Sequence, residues 1–275
     1  MPTKTKVRNM FDSIAGDYDA LNHILSLDVD KIWRKKALKQ IVDAPAPVQV
    51  LDLACGTGDF SIAIAKALSR SHKRVGTPIE AHVKAPAKAP VEAQVTSTGF
   101  VTGDSGRSDL MTKGHVTGVD LSEGMLAVMR EKVQKSGLTE MISIEEGDGE
   151  NLRFPDNTFD RVTIAFGIRN FEDRPKGLRE MLRVLKPGGR LVILELSRPE
   201  NKVIRWFYDL YFLHILPKIG GKVSGDKAAY AYLPASVAAF PGKKAFMATM
   251  REAGFRTVTH KAFTLGICRM YTGEK

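Results

Sequence analysis

The chain of 275 residues is long enough for one large domain, or for one domain that carries insertions. Hydrophobic residues make up 43% and charged residues 26% of it, and no apolar run is long enough for a membrane-spanning helix. Its two cysteines exclude a disulfide framework and a cysteine-based metal site, so we expect a cytoplasmic protein. The net charge of +10 leaves three explanations open, namely a solvated basic surface, nucleic acid or an anionic membrane.

The first third of the chain contains two predicted helical stretches around a glycine turn. Residues 7–42 have apolar side chains at helical spacing. The segment VQVLDLACGTGDF then joins a short apolar strand to glycines, and DFSIAIAKAL continues as a helix. Residues 73–113 are rich in Ala, Pro, Lys, Thr and Gly and contain few large apolar side chains, so we interpret them as a solvent-exposed, flexible insertion.

Strand and helix alternate again after the insertion. The predicted strands are HVTGVDL, ISIEEGD, RVTIAFG and RLVILEL, and the predicted helices are SEGMLAVMREKVQKSG, with Ser122 as N-cap, and PKGLREMLRVLKPGG. The chain closes with the helix KKAFMATMREAG and the strands FRTVTHKAF and GICRMYTG. This alternation predicts a doubly wound α/β fold with a seven-stranded, mostly parallel sheet, and the terminal hairpin adds an antiparallel strand at its edge.

The turn Gly56-Thr57-Gly58 lies between the first strand and its helix, where glycines let a ligand approach the backbone. A turn that only closes an ordinary strand–helix connection is the alternative. A dinucleotide fingerprint would place a third glycine three residues later, to seat a diphosphate, and Ser61 stands there instead. A ligand without a diphosphate fits better, and S-adenosylmethionine is such a ligand.

Three acids follow predicted strands or lie in them. Asp120 ends the second strand 62 residues after Gly58, and removing the 41 residues of the insertion leaves the spacing of 21 that a ribose-binding acid has. Asp148 follows the third strand and is expected beside the adenine. Asp52 is expected to bind through water near the sulfonium. A helix-flanking role for Asp120 and a role for Asp52 in capping the amides of the turn stay open.

The segments LDLACGTGD, VTGVDLSEGML and RVLKPGGRL resemble motifs of class I methyltransferases. The segments MFDSIAGDYDALNHILSLDVDKIW and FPDNTFDRVTIAFGIRNF are similar to the ubiquinone/menaquinone biosynthesis C-methyltransferase family, and the resemblance covers the chain except 73–113. It implies cofactor contacts at Thr57, Asp120 and Asp148 with Gly149. It also implies a polyprenylated quinol as the substrate, with demethylmenaquinol first and the benzoquinol of ubiquinone synthesis as the alternative.

A carbon acceptor has to be made nucleophilic, so a general base that removes the phenolic proton, or a group that favours the phenolate, is expected. Arg169 and Asn170 follow the RVTIAF strand, where this architecture places active-site residues. We predict that Arg169 stabilises the phenolate or organises a water, and that Asn170 orients that water. An ion pair is the alternative role for Arg169. His214 is the second candidate base, and Tyr18 is expected to close over the ligand, with packing as the alternative for each.

We expect one domain over residues 1–275, with an N-terminal helical segment over 1–45 and a substrate cover over 199–242. Within the cover, the apolar run over 203–216 is broken by Arg205, Asp209 and His214 and therefore cannot cross a bilayer. The run still has more aromatic surface than an exposed connection needs, from Trp206, Phe207, Tyr211 and Phe212. We therefore predict peripheral contact with the inner face of the membrane, with packing on the core as the alternative. An RNA methyltransferase and a regulatory S-adenosylmethionine-binding module remain rivals, although no RNA-binding module is evident. Both a monomer and a homodimer remain open.

Overall fold

The computed structural model describes residues 3–16, 18–19, 28–43, 48–75, 114–211 and 227–275. Seven strands form its single sheet: β1 (Gln49–Leu53), β2 (His115–Asp120), β3 (Ile142–Glu146), β4 (Phe159–Ala165), β5 (Leu185–Leu196), β6 (Arg256–Phe263) and β7 (Cys268–Glu274). The helices are α1 (Lys4–Ile14), α2 (Val29–Ile41), α3 (Asp59–Val75), α4 (Glu123–Lys135), α5 (Arg174–Val184), α6 (Lys202–Leu210), α7 (Lys227–Ala239) and α8 (Lys243–Glu252). A 3-10 turn covers Ile168–Asn170, and a second covers Thr264–Gly266.

The strand order is β3-β2-β1-β4-β5-β7-β6, and β1 to β5 pair in parallel. The order reverses at β1, which is where a doubly wound sheet opens a crevice at the carboxyl ends of its strands. β7 pairs antiparallel with both β5 and β6, so the terminal hairpin makes the antiparallel edge of the sheet. The predicted fold class is therefore confirmed.

Two hydrophobic layers cover the two faces of the sheet, as alternation along the strands requires. On β5, Leu191 and Ile193 pack with α5 and α8, whereas Val192 and Leu194 pack with α2, α3 and α4. Both faces of the central strands are thus buried, which explains why their sequences are almost continuously apolar.

Helix boundaries follow local chemistry. Ser122 caps α4 as predicted, because its side chain accepts a hydrogen bond from the backbone N–H of Met125. The helix that was predicted to be closed by the Pro-Gly-Gly sequence ends at Val184, and Leu185 already belongs to β5. Lys186 precedes a proline, and a residue in that position disfavours helical backbone. The helix therefore ends shortly before the proline that was predicted to close it.

Three predicted segments fall partly outside the described residues. Of the helical stretch over 7–42, the structure describes α1 and α2 and the residues next to them. Of the insertion over 73–113, its first three residues belong to α3, and 76–113 lie outside the described residues. Of the cover over 199–242, α6 and α7 are described, and 212–226 are not. Within the described residues, no helix is both long and apolar enough to cross a membrane.

Candidate active site

An open cleft lies at the carboxyl ends of β1, β2, β3 and β4. Of the predicted site residues, the walls contain Tyr18, Gly56, Asp120, Asp148, Gly149 and Asn170. Two of the three predicted cofactor acids, Asp120 and Asp148, therefore lie in the wall of this cleft.

Asp120 links the glycine turn to the next helix. Its Oδ2 accepts a hydrogen bond from the Gly56 backbone N–H at 2.9 Å, and its Oδ1 accepts one from the Ser122 N–H at 2.9 Å. Burial raises the pKa of the Asp120 carboxyl, and these backbone donors offset part of the shift. Gly56 has φ +56°, a left-handed conformation that glycine adopts without strain, and it forms the cleft wall beside this carboxylate.

Thr57 and Gly58 are not among the residues that form the cleft wall. Thr57 is buried, and its hydroxyl donates to Asp19 Oδ1 at 2.5 Å. A Cβ atom at Gly58 would lie 2.4 Å from Met129 Cγ, so Gly58 permits close packing of the turn on α4. Thr57 and Gly58 thus stabilise the conformation of the turn without lining the cleft.

Asp52 also lies away from the wall. It is 1% exposed, and its Oδ2 accepts a hydrogen bond from the Ser61 hydroxyl at 2.6 Å. Burial raises the pKa of the Asp52 carboxyl to about 7, although the Ser61 hydrogen bond and the charge of Arg34 favour its ionised form. The structure thus pairs the predicted sulfonium-side acid with the serine that replaces the third glycine.

Asp148 and Gly149 lie in the wall at the end of β3. A Cβ atom at Gly149 would lie 2.6 Å from Phe171 Cζ, so only glycine allows this aromatic ring to close the wall. Asp148 Oδ2 accepts a hydrogen bond from Lys4 Nζ at 2.7 Å, and Lys4 also pairs with the buried Glu150 at 2.8 Å.

Helix α1 supplies a wall that the sequence reasoning did not assign to the site. Lys4, Val7, Arg8 and Phe11 all face the cleft. Arg8 Nη2 pairs with Glu146 Oε1 at 3.1 Å, and Asp12 Oδ1 accepts a hydrogen bond from the Ser122 hydroxyl at 2.5 Å. The one available signal was the spacing of Lys4 and Arg8, which puts two cations on one helix face.

Tyr18 lies in the cleft wall over the glycine turn, and its closing over a ligand stays a prediction. A Cβ atom at Gly56 would lie 3.9 Å from Tyr18 Cε1, and the Tyr18 ring packs edge-to-face on Phe11 with centroids 6.0 Å apart. His214, the second candidate base, lies outside the described residues.

Arg169 is not brought to the cleft wall. Its side chain is 6% exposed, and its Nη1 pairs with Glu195 Oε1 at 3.0 Å. Its Nε donates to the Ser236 hydroxyl at 3.2 Å, and its Nη1 also donates to the Phe166 carbonyl. Arg169 thus forms a buried ion pair with Glu195 instead of the predicted contact with the acceptor. The missed signal was Glu195 itself, since a carboxylate within a buried strand needs a charged or polar partner.

Asn170 does lie in the wall, next to Phe166, Gly167 and Phe171. Its Oδ1 accepts a hydrogen bond from the Tyr232 hydroxyl at 2.9 Å. Tyr232 belongs to α7, within the predicted cover. Among the described residues, no group of three or more His, Cys, Asp or Glu side chains could hold a metal ion.

Comparison with known protein families gives a match over nearly the whole chain. The model of the ubiE/COQ5 methyltransferase family matches residues 2–275. The chain is 39% identical to the demethylmenaquinone methyltransferase of Bacteroides fragilis, over 98% of this chain and 92% of the relative. It is 43% identical to the ubiquinone/menaquinone biosynthesis C-methyltransferase UbiE of Geobacter sulfurreducens, over 98% of this chain and 88% of the relative.

Solved structures share the fold at low sequence identity. A SAM-dependent methyltransferase from Thermotoga maritima has a TM-score of 0.56 and 16% identity, over 97% of this chain and 99% of that one. The [4+2]-cyclase SpnF has a TM-score of 0.63 and 15% identity, over 100% and 96%. Since one of these proteins is a cyclase, the fold alone does not fix the reaction. The full-length family match does go further: this chain belongs to the ubiE/COQ5 methyltransferase family.

Proposed function

We propose that the protein methylates a ring carbon of a polyprenylated quinol with S-adenosylmethionine as methyl donor, and that demethylmenaquinol is the acceptor. One observation carries the proposal: the acids Asp120 and Asp148, the Gly56 turn and the Asn170 amide share one cleft. The names of the relatives with 39% to 43% identity support the acceptor class. The benzoquinol of ubiquinone synthesis is the alternative, supported by the name of the Geobacter relative.

The residues of the cleft fit the donor. The Asp120 carboxylate accepts backbone hydrogen bonds from Gly56 and Ser122, and its two oxygens offer about four acceptor positions, so it can also accept from a ribose diol. Val119, Leu121 and Phe171 offer apolar surface for a purine. The exposed backbone at Gly56 suits the amino-acid end, and Ser61 stands where a diphosphate would need glycine.

S-adenosylmethionine, when bound, supplies an activated methyl group. Held by Asp120, Asp148 and the Gly56 turn, it would supply this methyl group to the ring carbon of an acceptor that has lost its phenolic proton to water, and S-adenosylhomocysteine would remain. The ring carbon would then lose its own proton to water and the ring oxygen would regain one, which restores the aromatic quinol. The chain's part is to align acceptor and donor, to exclude water with α1 and Phe166, and to place the Asn170 amide near the acceptor oxygen.

The direct test is incubation of the protein with labelled S-adenosylmethionine and a reduced demethylmenaquinol that has a short tail. We expect the product mass to rise by one methyl group, whereas a benzoquinol and RNA serve as competing acceptors. Label transferred to RNA alone, or to no acceptor, would contradict the proposal in favour of its two rivals.

Cofactor binding has a test of its own at Asp120. Asp120→Ala leaves the ribose hydroxyls without an acceptor and should weaken binding by roughly 2–4 kcal/mol, measured by calorimetry. Because Gly56 also loses its acceptor, folding is checked by thermal unfolding, and Glu123→Gln on the exposed start of α4 is the control. Unchanged affinity in a folded Asp120→Ala protein would contradict the assignment.

We further propose that α6 docks the protein on an anionic membrane surface, at the inner face of the membrane, where a polyprenyl tail resides. Val203, Trp206, Phe207 and Leu210 recur at helical spacing and are 65%, 62%, 60% and 41% exposed, so they form one apolar face. Lys202 lies exposed beside this face and can meet anionic headgroups. Phe212, His214 and Lys218 of the predicted contact lie outside the described residues.

Liposome flotation with anionic lipid tests this docking at low and at moderate salt. Trp206→Ala should reduce the bound fraction at both salt concentrations, and Lys202→Gln should reduce it mainly at low salt. Lys135→Gln, which removes an exposed lysine from α4, is the matched control. If the parent protein stays with the soluble fraction throughout, α6 does not dock on membranes.

A further inference from the structure

Helix α7 holds the turn that contains Asn170 at two points. The Tyr232 hydroxyl donates to Asn170 Oδ1 at 2.9 Å, and Arg169 Nε donates to the Ser236 hydroxyl at 3.2 Å. Tyr232 and Ser236 are four residues apart and therefore lie on the same helix face. Arg169 and Asn170, which are adjacent in the turn, are thus bound by two residues on the same face of α7.

The backbone of the turn is fixed separately, by β5. Glu195 Oε2 accepts a hydrogen bond from the Arg169 backbone N–H at 3.0 Å, and Glu195 Oε1 pairs with the Arg169 guanidinium. Among the described residues, the hydrogen bond from Tyr232 is the only one made to the Asn170 side chain. The main chain of the turn is therefore held by Glu195, and the amide orientation of Asn170 is left to Tyr232.

The direction of this hydrogen bond has a chemical consequence. Burial raises the pKa of the Tyr232 phenol, so its hydroxyl stays protonated and remains a donor at neutral pH. An amide has one oxygen acceptor and one NH₂ donor group, which lie in the same plane on opposite sides of the Cβ–Cγ axis. When the hydroxyl of Tyr232 occupies the oxygen, the NH₂ group is the part of Asn170 that remains for a ligand in the cleft.

We propose that Tyr232 is a positioning residue that turns the Asn170 NH₂ group toward the acceptor's oxygen, where its two N–H donors stabilise the phenolate. This inference rests on the proposed function, because it names the group that assists the acceptor of that reaction. A reversed amide would present its carbonyl oxygen and repel the developing negative charge. Arg169 supports the site through the turn and does not touch the acceptor.

The kinetic test compares Tyr232→Phe with the parent protein on a short-tailed quinol. We expect kcat to fall by about tenfold or more, since a misplaced oxyanion donor costs up to 10²–10³ in rate, while cofactor affinity stays within about twofold. The acidic limb of the kcat profile should move to higher pH, because the phenolate of the bound acceptor forms less readily. Tyr271→Phe on β7 is the matched control, since that buried phenol has no hydrogen-bond partner among the described residues.

A double-mutant cycle separates positioning from packing. In an Asn170→Ala background, Tyr232→Phe should have no further effect on kcat, because the amide that it orients is gone. A tenfold loss in both backgrounds would overturn the inference, and so would a Tyr232→Phe enzyme with the rate and pH profile of the parent.

A spectroscopic readout keeps the inference testable apart from turnover. A nitro-substituted naphthol, whose phenolate absorbs visible light, is titrated in the protein with S-adenosylhomocysteine present. The parent and Tyr271→Phe proteins should lower the pKa of the bound naphthol, and Tyr232→Phe should return it toward the value in water. A parent protein that leaves this pKa unchanged overturns the inference. Loss of quinol methylation alone, with the naphthol shift intact, counts only against the proposed function.

Discussion

At the scale of single residues, the buried pair Arg169–Glu195 changes what a substitution is expected to do. Glu195 is fully buried, and both of its oxygens accept hydrogen bonds from Arg169. Arg169→Ala leaves a buried carboxylate without its guanidinium, which should lower the free energy of unfolding by about 3–5 kcal/mol in urea titrations. Arg169→Met combined with Glu195→Gln should cost less than Arg169→Ala alone. Parent stability in Arg169→Ala would show that the pair contributes little.

The sequence predicted the position of Asp120 and Gly56 at the cleft, because that position depends on local order, namely a strand followed by a turn at its carboxyl end. It could not predict that Arg169 turns away from the cleft. That outcome depends on Glu195 from β5 and Ser236 from α7, which are 26 and 67 residues away along the chain. The contacts of a long cationic side chain are decided by such distant partners.

The raised pKa of the buried Asp52 predicts that the free energy of unfolding depends on pH. Since its folded-state pKa is raised from 3.8 to about 7, the stability linked to its protonated form is present in full below about pH 4 and is lost as pH rises through 7. Asp52→Asn should remove this loss, so the difference in unfolding free energy between variant and parent should grow by about 2–3 kcal/mol from pH 5 to pH 8. Asp156→Asn, an exposed carboxyl, is the control, and a constant difference would contradict the prediction.

At the scale of elements, α1 is attached to the sheet mainly by charge. Lys4 pairs with Asp148 and Glu150 and Arg8 pairs with Glu146, while Val7 is the helix's one buried residue. The periodicity of the sequence predicted a helix here, but it could not show which surface the helix covers. That choice depends on acids at the end of β3, more than 130 residues further along the chain.

Weakening these ion pairs should loosen α1 without unfolding the sheet. Lys4→Gln combined with Arg8→Gln removes two partly exposed pairs, with Asp148 and Glu146, that contribute about 0–1 kcal/mol each, and also the pair of Lys4 with the buried Glu150. We expect hydrogen exchange of the α1 amides to accelerate by up to about tenfold, while the amides of β1 and β4 keep their protection. Lys6→Gln on the exposed side of the same helix is the control. If the double variant exchanges like the parent, Val7 and Phe11 hold the helix without help from the charges.

At the scale of the whole molecule, the two strands on either side of the predicted insertion pair directly with each other. β1 and β2 flank it in sequence and pair along their full length, from Gln49 with His115 to Leu53 with Val119. Replacing residues 77–112 by a short Gly/Ser linker should therefore leave Tm within a few degrees and cofactor affinity unchanged, because loop length affects stability only weakly. Loss of cooperative unfolding in that protein would show that the segment packs on the domain.

The place where this segment leaves the fold has a practical consequence. Gly114 lies against Val48, at the amino end of β1, and α3 separates that edge from the cleft by its 17 residues, or about 25 Å. Val75 and Gly114 are therefore suitable attachment points for a dye, a biotin or a tether to a bead. A protein held there would present its active site outward, so that lipid, quinol and cofactor reach it from the free side.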